Sequence, residues 1–332
     1  MSPAWACPEC GENLEETGDE VACGKCGRRF PVLFGIPDLR LQGDRYLDLD
    51  SDRRRAAELD EAARRGARFE DLLALYWQDT PGTPAALARN HIAGAIRSAE
   101  DSRPLVDSLP GGRFLDVGCG AGGALVAAAS DRRFTSVLGI DSALRWLVVA
   151  RQHLRQTGSD SRVALAAASV ESPPFRAHSF DSLLLRHLLE HVRDLRGAVS
   201  SSAELLSPGG GAVVEVFQRW SVLPEPHTGL LGASWLPRRW QPAYVRWRCG
   251  DDYSAVRLPS RREVLAAARE SGLRVKEFLS LPITPGERRR MPAPLGPAVA
   301  LYEVLRRSRG INRVVLSRLG PKIDLSMSKD LA

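Results

Sequence analysis

Residues 114 to 123, FLDVGCGAGG, constrain the fold of this chain more than any other stretch. An apolar run is followed by one acid and then four glycines in six residues. Phe114, Leu115 and Val117 have the character of a buried strand. The glycines let the backbone turn sharply and approach a ligand closely. The following ALVAAAS opens a helix whose first N–H groups have no partner within it. Strand, glycine loop and helix together predict an α/β fold with a nucleotide cofactor on the loop. Gly118, Gly120 and Gly123 also satisfy G-x-G-x-x-G, which alone is a weak signal.

Asp116 separates two cofactor classes. It lies two residues before the first glycine. A pyrophosphate would be repelled by a carboxylate there, whereas S-adenosylmethionine carries a sulfonium and an ammonium group. The next strand, SVLGID, ends in Asp141, 23 residues after Gly118 and suited to ribose hydroxyls. Ser142 follows, and Leu144, Leu147, Val148 and Leu154 mark the inner side of the next helix. FDSLLLRHLLEHVRD supplies a central strand with Arg186, His187, Glu190 and His191 just past it, where open α/β sheets bind ligands. LSPGGG reads as the turn into a fifth strand, AVVEVF.

These motifs resemble class I S-adenosylmethionine-dependent methyltransferases of the type 11-like group, over roughly residues 106–280 and part of the tail. The glycine loop, its acid, EHV.D and PGG recur in the family's order. The resemblance implies a seven-stranded doubly wound sheet of order 3-2-1-4-5-7-6. KIDLSMSK (322–329) would be the antiparallel seventh strand. It implies cofactor contacts at Asp116, Gly118, Gly120, Gly122, Asp141, Ser142, Ser169, Val170, Arg186 and His187. Ser169 departs from the family's adenine-binding Asp, leaving a serine hydroxyl or Glu171 for that contact.

Cys7-Pro-Glu-Cys10 and Cys23-Gly-Lys-Cys26 read as a zinc ribbon. Two such turns facing each other complete a closed tetrahedral thiolate site, which is structural rather than catalytic. With the tail RRFPVLFGIPDL, the segment resembles the small zinc-ribbon activator family associated with tRNA and translation-factor methyltransferases. The ribbon would bind substrate or brace the next domain. The expected organisation is a zinc ribbon at 1–42, a helical linker or cover at 43–105, and a methyltransferase domain at 106–332. That domain carries an insertion at 218–258 and a helical segment at 290–320. In the cover, Phe69, Leu72, Leu73 and Tyr76 make one apolar face, DTPGTP breaks the helix, and a second helix runs over roughly 84–101. Tyr76, Trp77 and His91 are pocket candidates.

The acceptor is less legible. A base, where one is needed, falls to His191 or to His227 in the insertion. His153 reads as the outer part of a helix and His178 as a loop residue. The insertion holds Trp235, Trp240, Tyr244, Trp247 and Tyr253 among arginines, which suits an aromatic pocket, a base-stacking surface or a lid. No NPPY-like tetrapeptide or Pro-Cys nucleophile follows strand four, which argues against exocyclic-amine and cytosine C5 chemistry. A small or lipid-like acceptor is the expectation, with RNA and a non-catalytic cofactor-binding protein as alternatives. The net charge of +6 supports RNA only weakly, because just four of the 46 basic residues are lysine and such a skew reflects GC-rich coding. No run of apolar residues long enough to span a membrane and no secretory signal is found, so a cytoplasmic protein is expected. Oligomeric state is not legible.

Overall fold

The computed structural model describes residues 5–78, 85–221, 224–250, 252–278, 288, 296–306 and 322–331. Four short antiparallel strands come first: β1 (Leu14–Thr17), β2 (Glu20–Cys23), β3 (Arg29–Leu33) and β4 (Ile36–Pro37), paired in chain order. Helices α1 (Leu49–Arg64), α2 (Phe69–Gln78), α3 (Ala85–Ile96) and α4 (Ser98–Asp107) follow. The expected single helix over 84–101 is therefore two helices, and DTPGTP lies outside the described residues. In α2, Phe69, Leu72 and Leu73 are buried, as the apolar spacing requires, and Tyr76 is half-buried.

The main sheet takes β5 (Gly112–Val117), β6 (Phe134–Asp141), β7 (Val163–Ala167), β8 (Phe180–Arg186), β9 (Leu206–Phe217), β10 (Leu273–Phe278) and β11 (Lys322–Lys329). Its order is β7-β6-β5-β8-β9-β11-β10, the expected 3-2-1-4-5-7-6. Strand β11 runs antiparallel between β9 and β10, with Leu325 opposite Val214 and Phe278. LSPGGG is not a turn before the fifth strand. It lies inside β9, where the register against β8 shifts between Phe180 and Ser182.

Alternation along β5 distributes its side chains to two cores, because successive residues face opposite ways. Leu115 and Val117 join the cluster containing α7 (Leu195–Leu205) and α9 (Arg261–Glu270). Phe114 joins the cluster with α1, α2, α4, α5 (Gly123–Ala129) and α6 (Leu144–Gln156). The ribbon residues Trp5, Val21, Phe30 and Leu39 belong to the first of these cores. Helix α8 (Gln241–Cys249) lies in the insertion. In α9, Ser260 and Glu263 form a reciprocal capping box. Of the expected helical tail, α10 (Gly296–Leu305) is described, and Gly310 lies outside the described residues. Among the described residues, no helix is long and apolar enough to cross a membrane.

Candidate active site

Parallel strands β5 and β6 end side by side, so their exit loops meet at one edge of the sheet. Gly118 and Cys119 both donate their N–H to Ile140 O, at 2.8 and 3.0 Å. Asp141 then ties the two loops together. Its Oδ2 accepts from Gly120 N and its Oδ1 from Ala143 N, each at 2.8 Å. Gly122, at φ 78°, caps α5. Gly118 has φ +76°, and a Cβ there would lie 2.8 Å from Leu188 Cδ1 in the loop after β8. The positive φ favours glycine there, and any larger residue would also have to push the Leu188 side chain aside.

Asp116 is 2% exposed at the end of β5. Burial, with Asp141 nearby, pushes its carboxyl up to about 7 against the pull of Arg186. Burial likewise raises Asp141 to about 6, although the Ala143 and Gly120 N–H groups oppose it. A cation entering here would be drawn by both. Ser169 Oγ accepts from Glu171 N at 3.1 Å, and Val170 is 6% exposed beside the β7 exit. Ser142 is half-buried next to Asp141. Arg186 is largely committed: Nε donates to Glu215 at 2.8 Å and Nη1 to Ser102 at 3.2 Å. His187 adopts φ 53°, an unusual conformation for a non-glycine. Its ring stacks on Phe217 with centroids 4.4 Å apart, and Nε2 lies 3.1 Å from Glu215.

Past β8, a second set of groups converges. One ligand atom each from Glu190, His191 and His227 lie within 4.8 Å of one another. Glu190 is fully buried, and neither carboxylate oxygen has a hydrogen-bond partner among the described residues. Burial disfavours its charge, but His187, His191 and His227 together hold it below the ordinary glutamate range. His191 Nδ1 lies 2.8 Å from the Tyr46 hydroxyl, and burial drives its imidazole down to about 4 despite Glu190. His227 Nδ1 lies 2.6 Å from Glu225 Oε1. Burial lowers its basicity, but the Glu225 carboxylate, helped by Glu190, raises it above the usual histidine value. Glu225 also accepts from Thr228 N and Oγ1, at 2.7 and 2.9 Å, which locks the pair. Such a trio could hold a cation or accept a proton from a substrate hydroxyl.

The structure brings His191 and His227, the two base candidates named from the sequence, together with Glu225 and Tyr46, which the sequence did not single out. The EPHT spacing could have revealed Glu225, but nothing local signals Tyr46. The insertion's aromatics do not gather into one pocket. Tyr253 is 2% exposed, whereas Trp240 and Trp247 are 54% and 76% exposed, each under a neighbouring arginine. His153 is not on an outer helix face either: it is buried, stacked on Phe69, with Nδ1 2.9 Å from Ala121 O. His178 is a loop residue at φ 61°, as expected. Trp77 stacks on His91 and Tyr76 packs against Trp146, at 4.6 and 4.3 Å between centroids.

The four ribbon cysteines come together as their spacing requires. Cys7 Sγ is 3.7 Å from Cys26 Sγ, and Cys10 Sγ is 3.5 Å from Cys23 Sγ. Tetrahedral thiolates at about 2.3 Å from a zinc ion are about 3.8 Å apart, so the donor set fits that metal.

A family model described as a methyltransferase domain matches residues 115–214. The ubiquinone biosynthesis O-methyltransferase of Stutzerimonas stutzeri is 30% identical over 182 residues, 54% of this chain and 71% of that one. The Paracidovorax citrulli protein of the same name is 37% identical over 115 residues, 33% of this chain and 46% of its own length. The chain thus spans only about half the length of some of these curated relatives. Among solved structures, the geranyl diphosphate C-methyltransferase of Streptomyces coelicolor aligns with a TM-score of 0.48 and 18% identity, over 80% of this chain and 100% of that one.

Proposed function

The chain belongs to the class I S-adenosylmethionine-dependent methyltransferases, and from that premise we propose that it methylates an oxygen, ring nitrogen or activated carbon of a small or lipid-like molecule. The bound cofactor would supply a sulfonium-activated methyl group and leave as S-adenosylhomocysteine. Gly118, Gly120 and Gly122 would let the backbone approach the cofactor, and Asp141 with Ser142 would accept the ribose hydroxyls. Val170 and Ser169 would border the adenine. Asp116 would face the cationic end, with Arg186 and His187 closing that side through Glu215.

The observation that carries the acceptor chemistry is the His227–Glu225 pair beside Glu190 and His191. Glu225 engages Nδ1, which leaves Nε2 of His227 as the atom that takes the acceptor's proton. His191, kept neutral by burial, would orient the acceptor by hydrogen bonding together with Tyr46. The names of the curated relatives favour a lipid-like acceptor. Zinc is assigned to Cys7, Cys10, Cys23 and Cys26 as a structural ion.

A second reading is RNA methylation. Its support is the exposed face of the insertion, where Arg239 and Arg248 lie over Trp240 and Trp247. Labelled methyl groups offered in S-adenosylmethionine to a host extract distinguish the two, with Asp116→Ala as the blank. Label in the organic-soluble fraction supports the first reading. Label in a ribonuclease-sensitive fraction supports the second, and none above the blank removes both.

A further inference from the structure

The ribbon and its tail touch the cofactor side of the sheet at two separate loops. The first is the exit of β7. Asp38 forms a parallel bridge with Ala167, and Leu39 N donates to Ala167 O at 2.8 Å. Ala6 N donates to Pro174 O at 2.9 Å, and the Trp5 ring packs on Phe175 with centroids 5.4 Å apart. Ser169 and Val170 lie between these two anchors.

The second is the exit of β6. The Arg40 side chain is 1% exposed. Its Nε and Nη2 grip both oxygens of Asp38, at 2.6 and 2.9 Å. Nη1 reaches Asp52 in α1 at 2.5 Å and the carbonyl of Ser142 at 2.8 Å. Asp52 also accepts from Leu144 N at 2.8 Å. Arg40 and Asp52 therefore hold the loop directly after Asp141 from two sides. Of the cofactor candidates, Ser142, Ser169 and Val170 lie in these two loops, and Asp141 is the last residue of β6 at the mouth of one of them.

We infer that the ribbon is part of the cofactor site, with Arg40 as the positioning residue that transmits its hold to Asp141 and Ser142. The inference rests on the methyl-transfer reading. A planar guanidinium is needed, because one side chain must satisfy two carboxylates and a carbonyl in fixed directions. The four cysteines fix the far end of the same lever. The metal-bound ribbon thus sets how well the two loops are preorganised before cofactor arrives.

The test uses the full chain with S-adenosylhomocysteine as the probe, by calorimetry well below the melting temperature. Arg40→Lys keeps the charge and loses the fork, and is expected to weaken binding tenfold or more while circular dichroism remains native. Stripping metal from the parent, followed by metal analysis, is expected to weaken binding similarly. Stripping the variant should add little further, because both changes release the same loops. A ribbon acting only as fold support would lower the melting temperature of either form and leave the low-temperature affinity unchanged. That result would overturn the inference, as would a purified chain that carries no metal. Failure of the parent itself to bind the probe would instead sink the methyl-transfer reading beneath it.

Discussion

His191 and His227 stand edge to face with ring centroids 5.0 Å apart, yet their surroundings give them opposite tendencies. Burial keeps His191 neutral down to about 4, while Glu225 raises His227 above the ordinary value. A base must be deprotonated to act, so methyl transfer should rise with pH through the raised value of His227. Glu225→Gln removes the stabilising charge. The acid limb of the pH–rate profile should then move to lower pH and the plateau fall about tenfold or more. A purely structural Glu225 would lower the yield of folded enzyme without moving the limb. Asp116, at about 7 through burial, gives a second expectation. A cationic cofactor favours its ionised form, so binding should release protons near neutrality and weaken as pH falls below 7. Calorimetry in buffers of different ionisation enthalpy reads that release directly. The histidines were visible in the sequence because they follow strand signals. Tyr46 was not, because its partner His191 is 145 residues away in the chain.

At the scale of elements the strands were legible because each carries an apolar run and each crossover a helical one, whereas their order came from the family resemblance and matches the observed sheet. KIDLSMSK was recognisable by alternation alone, and it pairs with both β9 and β10. The helix over 84–101 was misread because no glycine or proline separates α3 from α4, so composition gave no stop signal. Tertiary contact instead explains α4. A Cβ at Gly123 would lie 2.0 Å from Ser98 Oγ and 2.6 Å from Ser98 C, so α4 can sit on α5 only over a glycine. Gly123→Ala should therefore separate the two helices and cost ~1–3 kcal/mol, measurable by urea unfolding. The insertion was least legible, since aromatic content does not reveal which rings turn inward.

At the scale of the whole molecule, several ion-paired carboxylates away from the glycine loop are held below their ordinary range. The Arg113 hydrogen bond, with other donors, brings Asp181 to about 2. Burial opposes the charge of Glu263, but Arg238 and Ser260 N–H outweigh it and bring that group to about 2. Glu215 is lowered by Lys322, Arg186 and His187 despite its burial. A depressed group stabilises the fold above its unfolded value near ~4 and loses that contribution as pH falls through the folded one. Stability should therefore drop between about pH 4 and pH 2, as urea midpoints across that range would register. The placement of β11 also bears on synthesis. Residues 206–217 are made long before their neighbour at 322–329, and β10 is made in between without being able to join them. The nascent chain thus carries an unpaired, apolar sheet edge while it is being translated. Chaperone occupancy on ribosome-bound intermediates should concentrate there, because an unprotected edge is what invites pairing with another chain.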